Sequence, residues 1–137
     1  MASMFRGAEV EVGVAYHLVV LCDEDVDENV PTPDKVGHSW LSCGTSTVLL
    51  HSAGDIGSAL FTLELWDDRP PSLGLDVWPV SEVVRLTLPS GVLCVRQTAM
   101  GRIPAVFDVG EPGDYLVRLA WRADPEGLLL AQFWAGR

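Results

Sequence analysis

Basic residues are scarce in this chain. Nine lysines and arginines stand against nineteen carboxylates, for a net charge of −10 in 137 residues. Affinity for a phosphate backbone comes from clustered Lys and Arg, so direct binding of nucleic acid through a basic surface is disfavoured. Cysteine is scarce too. Cys22, Cys43 and Cys94 are an odd number at wide spacing without a CxxC pair, and they read as free, mostly buried thiols, with a metal site or redox pair as the alternative. No stretch approaches the roughly 20 uninterrupted apolar residues that span a bilayer. Met1 to Gly7 runs into Glu9 and Glu11 rather than into a long apolar segment, which predicts no signal peptide and a cytoplasmic location.

The motifs of common chemistries are missing as well. His17, His38 and His51 form no HxH, HxxxH or HExxH spacing, so no local metal or metalloprotease pattern exists. There is no G-x-S-x-G elbow to present a nucleophile, and no P-loop or G-x-G-x-x-G to cradle phosphate. The reading is a protein without catalytic residues or a cofactor. Asp23, Asp25 and Asp27 fall at positions 1, 3 and 5 of a calcium loop, with Asp34 at position 12. Glu28 stands where that loop needs glycine and Pro31 falls at position 9, so an EF-hand is rejected; weak calcium binding through Asp23, Asp25 and Asp27 stays open.

What the chain has is alternation. Its apolar share is 48% and its length suits one domain, residues 1–137, burying about two-thirds of its unfolded surface. Val10, Val12, Val14, Tyr16, Leu18 and Val20 predict a long strand that enters from an edge and finishes deep in the protein. Ser46 to Ser52 and Ala59 to Trp66 predict two more, joined by a hairpin connection at 53–57. Leu75 to Leu88 is interrupted by Pro79, which suggests an edge or a bulge. Pro89-Ser90-Gly91 turns the chain into Val92 to Gln97; Pro104 to Val109 follows a loop. Gly110 to Trp121 is the clearest piece, a type II turn at Pro112-Gly113 feeding a strand with Tyr115, Val117, Leu119 and Trp121 inward and Arg118 and Arg122 outward. Leu128 to Trp134 closes a hairpin through 123–127. With no helical period and turns every 8 to 12 residues, the fold class is all-β, a single-domain antiparallel β-sandwich of about eight strands.

Charge divides the chain. Residues 1–68 hold Arg6 and Lys35 against twelve carboxylates, while residues 69–137 are balanced, so the excess negative charge belongs to the first half. Two stretches concentrate it, the acidic loop 23–35 and the start of the proline-rich loop 67–74. Asp23, Glu24, Asp25, Asp27 and Glu28, helped by Asp67 and Asp68, make an acidic contact surface suited to a basic protein, with Trp66 as an anchor. Trp66 and Trp78 flank the proline-rich loop and are the tryptophans best placed to be exposed, which keeps a small-molecule or carbohydrate-binding sandwich as an alternative. A structural or assembly subunit, joined through an edge at Pro79 or Glu9, is the third.

The layout resembles a known family. The strand Ala15-Tyr16-His17-Leu18-Val19-Val20-Leu21, the polar proline-containing loop after it, Val83 to Gly91, and Val106-Phe107-Asp108-Val109-Gly110-Glu111-Pro112-Gly113-Asp114-Tyr115 together resemble the competence protein J family of bacteria. Founding members of that family are inhibitors of a DNA-entry nuclease. The resemblance implies a non-catalytic, stoichiometric inhibitor of a nuclease, toxin or other basic partner, acting as a monomer or homodimer without nucleic acid or membrane.

Overall fold

The structure, a computed structural model, describes residues 2–14, 18–26, 40–51, 58–97, 101–122 and 127–136. Among these residues there are ten strands and no helix, so no helix is long and apolar enough to cross a membrane. The strands are β1 (Met4–Gly13), β2 (Leu18–Asp23), β3 (Leu41–Cys43), β4 (Thr47–His51), β5 (Ser58–Trp66), β6 (Val80–Leu88), β7 (Val92–Gln97), β8 (Gly101–Asp108), β9 (Gly113–Arg122) and β10 (Leu128–Ala135). They form two five-stranded sheets, ordered β1-β5-β10-β9-β6 and β3-β4-β2-β7-β8. The expected all-β sandwich is present, with ten strands rather than eight and with one parallel pairing, β5 against β10.

Alternation put the right residues inside. Along β5 the odd positions Ala59, Phe61, Leu63 and Leu65 are buried, and along β9 so are Tyr115, Val117, Leu119 and Trp121. From the facing sheet Leu21, Val48, Leu93 and Val95 meet them, and Phe107 tilts against Phe133 with ring centroids 6.0 Å apart. Each such side chain contributes about 1.5–3 kcal/mol by leaving water. Packing leaves a void of about 10 Å³ beside Val14, Trp40, His51 and Trp121, room for no more than one water.

Pairing is where the sequence reading needs correction. The predicted long first strand is two strands in different sheets: β1 lies at the edge of the first and pairs with β5, while β2 lies at the centre of the second between β4 and β7. β4 and β5 are not a hairpin, because they too belong to opposite sheets. The same holds across Pro89-Ser90-Gly91, which carries the chain from β6 to β7. Alternation reports which face is buried and is blind to which neighbour supplies the ladder. Glycine at 91 is required twice over, by a φ of 74° and by Glu111, whose backbone a Cβ would meet at 3.0 Å. Gly113, the first residue of β9, has φ 151°, a positive φ that favours glycine but is not the roughly 80° of a type II third position. Among the described residues Pro79 precedes an edge strand, β6, which pairs there with β9 alone. Residues 53–57 and 123–126, His17 and His38, and the acidic loop from Asp27 onward lie outside the described residues.

The outer face of β9 is not open to solvent as expected. Arg118 and Ala120 are buried there, because the 67–79 segment crosses over them and the Arg118 guanidinium donates to Pro71 O. Burial, with Arg69 nearby, lowers the pKa of Arg118 from its ordinary value, while Glu64 works the other way. The Arg118 Nε–H also donates to Gln132 (2.8 Å), and the Gln132 amide donates to Glu64 (2.9 Å), so a polar chain runs under the crossing segment.

Candidate functional site

Strand direction gathers the acidic segments at one end of the sandwich. In the first sheet β1 begins and β5 ends there, with Met4 opposite Trp66, and so do the end of β10 and the start of β9, with Ala135 opposite Tyr115. In the second sheet β2 ends there at Asp23 and β8 ends at Asp108. The sheets are tied together at this end by Arg6, whose guanidinium donates to Asp108 O at 3.0 Å, and by Ser90, which reaches Asp23. Segments more than forty residues apart in sequence, after β2 and after β5, thus leave on the same side of the molecule.

The two segments use their carboxylates differently. Asp23 is fully buried and accepts from Ser90 N (3.2 Å), Ser90 Oγ (2.9 Å) and Asp25 N (2.8 Å). A carboxylate enclosed by three donors is a structural clamp. Glu24 is half-buried, ion-paired with Arg102 and accepting from Ala105 N at 3.2 Å. Ala105 sits in a bulge of β8, in the left-handed region at φ 49°, and Glu24 supplies the acceptor that its displaced N–H needs. Asp25 is exposed.

After β5 the acids face water. Asp67 and Asp68 are exposed; Asp67 is held by a reciprocal pair with Ser3, accepting from Ser3 N at 2.7 Å and donating its own N–H to Ser3 O at 3.0 Å. Trp66 is half-buried, its indole N–H turned to Glu64 at 3.0 Å, where it joins the Gln132 chain. Its ring forms part of a groove of about 320 Å³ between the sheet ends, walled also by Phe5, Arg6, Asp67, Glu111 and Tyr115. A second hollow of about 290 Å³, lined by Asp67, Asp68, Leu116 and Trp134, adjoins it. Phe5 at the groove is 66% exposed, an aromatic ring left outside the core at the edge of the sheet.

Sequence reasoning placed Trp66, Asp67 and Asp68 in the site and missed what β8 and β9 bring to it. Asp108, Glu111 and Asp114 are exposed at the same end, from the half of the chain whose charges balance. Asp108 accepts from Gly110 N (2.7 Å), Asp114 from Thr87 Oγ (2.7 Å), and the Tyr115 hydroxyl donates to Glu111 O (2.6 Å), a corner that fixes the turn. Burial and then the Glu111 charge push the Tyr115 phenol above its ordinary pKa, so it stays a neutral donor. Trp78 is half-buried in the crossing segment and does not line the groove, so the two tryptophans considered as a sugar platform do not share a wall. Among the described residues no three His, Cys, Asp or Glu converge to hold a metal ion.

These features define a class, a two-sheet all-β sandwich, here with several exposed acids and two aromatic rings at one set of strand ends. Solved structures with that fold exist. The chain has the fold of ComJ, the inhibitor of the DNA degrading activity of NucA from Bacillus subtilis, with a TM-score of 0.67 over 99% of each chain and 11% sequence identity. It is also similar to the structure described as crocagin biosynthetic gene J, with a TM-score of 0.58, 20% identity, and 96% of this chain and 98% of that one covered. At such identities the likeness is one of fold. No family model matches the sequence, and no curated protein matches it.

Proposed function

We propose that this chain is a stoichiometric, non-catalytic inhibitor that docks the acidic end of its sandwich into the cationic groove of a nuclease or another basic protein. The observation that supports this best is the groove itself: Trp66 and Phe5 stand as aromatic anchors within a rim of Asp67, Asp68 and Glu111, on a fold shared end to end with a nuclease inhibitor. A nuclease must present positive charge to hold phosphates, and a carboxylate rim can occupy that charge in place of DNA. Asp25, Asp108 and Asp114 extend the rim, and Asp27 and Glu28 continue it in sequence. Rings that bury on contact supply affinity, while the charges supply approach rate and selectivity.

The test is inhibition of DNA cleavage by a nuclease encoded beside this chain. Titration should reach an endpoint at one equivalent, and the inhibition should weaken as salt rises from about 50 to 300 mM, where screening shortens below about 8 Å. Full cleavage at low salt in the presence of excess protein would sink the proposal.

A further inference from the structure

The cysteines hold a feature that the proposed function leaves unused. Cys22 on β2 and Cys94 on β7 stand directly opposite each other in the antiparallel ladder. Their sulfurs are 3.0 Å apart, and both residues are buried, among Val20 and Leu49 on the outer face of the second sheet. Opposed residues of an antiparallel pair have Cα atoms about 4.5–5.5 Å apart, inside the range that a disulfide spans, so closing the bond needs no change of register. The third cysteine, Cys43, is exposed and remote from the pair, bonded to Gly44 O and Arg85 O.

We propose that Cys22 and Cys94 are a two-electron redox site that hydrogen peroxide converts to an intrachain disulfide joining β2 to β7. Cys22 is 0% and Cys94 1% exposed, which excludes bulky disulfide reagents and leaves a small oxidant as the one class suited to the site. Beside the pair, β8 breaks its regular pairing with β7 between Leu93 and Val95, which disrupts the edge ladder directly opposite Cys94. The two sulfurs are not equivalent. The hydrogen bond between them can run either way; run from Cys22 to Cys94 it brings the Cys94 thiol below its ordinary pKa, with burial and Glu24 opposing and Arg102 and Arg96 assisting, and pushes that of Cys22 above. Cys94 is therefore the attacking thiolate: it takes one peroxide oxygen as sulfenic acid and releases hydroxide, which is protonated to water. The Cys22 sulfur then attacks the Cys94 sulfur, the S–O bond breaks, and a second water leaves with the Cys22 proton. Two thiols lose two electrons, and one peroxide becomes two waters. The tie closes a chain segment of some seventy residues immediately before the Asp23 clamp, so the oxidised protein is the more stable form.

The experiment uses the full chain with Cys43→Ser, so that only the pair reports. After brief peroxide treatment, removal of the oxidant and unfolding in iodoacetamide, two alkylated cysteines should become none, the intact mass should fall by about 2 Da, and dithiothreitol should restore both sites. The melting temperature should rise by about 10 °C on oxidation. Adding Cys22→Ala or Cys94→Ala should abolish the mass loss. Methionine oxidation with both cysteines still alkylated would overturn the proposal, as would oxygen adducts on Cys94 with Cys22 still free.

Discussion

The turn after β2 and the turn after β5 carry the same kind of sequence, an apolar strand released into consecutive acids, and the fold uses them in opposite ways. In the first, Asp23 goes inside to bind Ser90 and Glu24 is spent on Arg102 and the Ala105 N–H. In the second, Asp67 and Asp68 stay in water beside a groove, although Asp67 also holds Ser3. What separates them is the neighbour at each strand end. β2 is central, so its exit meets the β6–β7 crossing at Ser90 and the N–H left free by the bulge of β8. β5 is interior too, between β1 and β10, but among the described residues its exit meets only the backbone of Ser3, before β1, and of Arg69 in its own turn. Both strands lie inside their sheets, so it is the donors waiting at each exit, and not the place of the strand in the sheet, that decide whether the acids go inside or stay in water.

The largest effect should follow from attacking the first turn. Asp23→Ala removes one acceptor from three donors in a buried site, and each orphaned group costs about 1–3 kcal/mol, so stability should fall by roughly 3 kcal/mol or more. In a chain of this size that lowers the melting temperature by about 10 °C. The folded fraction should still bind its partner normally. A loss below about 0.5 kcal/mol in urea titration would mean that Asp23 is no clamp and that the two turns are alike after all.

The second turn should respond in the opposite measure. Asp67→Asn, Asp68→Asn and Glu111→Gln together keep acceptors for Ser3 and remove three charges from the rim; inhibition should weaken about tenfold or more at low salt, and unfolding should shift by less than about 0.5 kcal/mol. The salt dependence of the triple variant should be flatter than that of the parent. Between these two lies Glu24→Ala. It should cost about 1 kcal/mol, because the residue both pairs with Arg102 and caps the Ala105 N–H, and it should leave inhibition almost unchanged.

Faces were legible in the sequence and partners were not. Period-two alternation identified the buried side of β5 and β9 residue by residue, because side-chain direction is a local property of an extended chain. Sheet membership is not local, so the strand through Val10 to Leu21 hid a change of sheet and the 53–57 connection passed for a hairpin. The outer face of β9 was misread for a related reason: the segment that buries Arg118 lies some forty residues earlier, and its prolines signalled a loop without saying what the loop would cover. Of the candidate site, the charge count singled out Asp67 and Asp68 and passed over Asp108, Glu111 and Asp114, because the second half of the chain carries as many arginines as carboxylates. The Cys22–Cys94 contact had no signal at all, since register alone places residues 22 and 94 opposite each other.

The smallest predicted effect tests whether the rim charge acts inward as well as outward. Tyr115→Phe removes the hydroxyl that binds Glu111 O and should cost about 1 kcal/mol at neutral pH. In the unfolded chain the phenol titrates near pH 10; in the fold, burial first and the Glu111 charge second hold its proton more tightly. Below about pH 10 both states keep the proton and the cost of the substitution is constant. Above it the unfolded chain releases the proton while the native one must keep it, so the parent loses stability that the Phe variant retains, and the gap between them should narrow and then close. Cysteine ionisation is common to both proteins and cancels in the difference. Urea midpoints at about pH 8 and pH 11 measure the gap; one that stays constant would mean that Tyr115 is unperturbed and that the rim at Glu111 faces water alone. If Glu111→Gln then leaves more of the gap open at pH 11, the carboxylate proposed to meet the partner also raises the proton affinity of the corner beneath it.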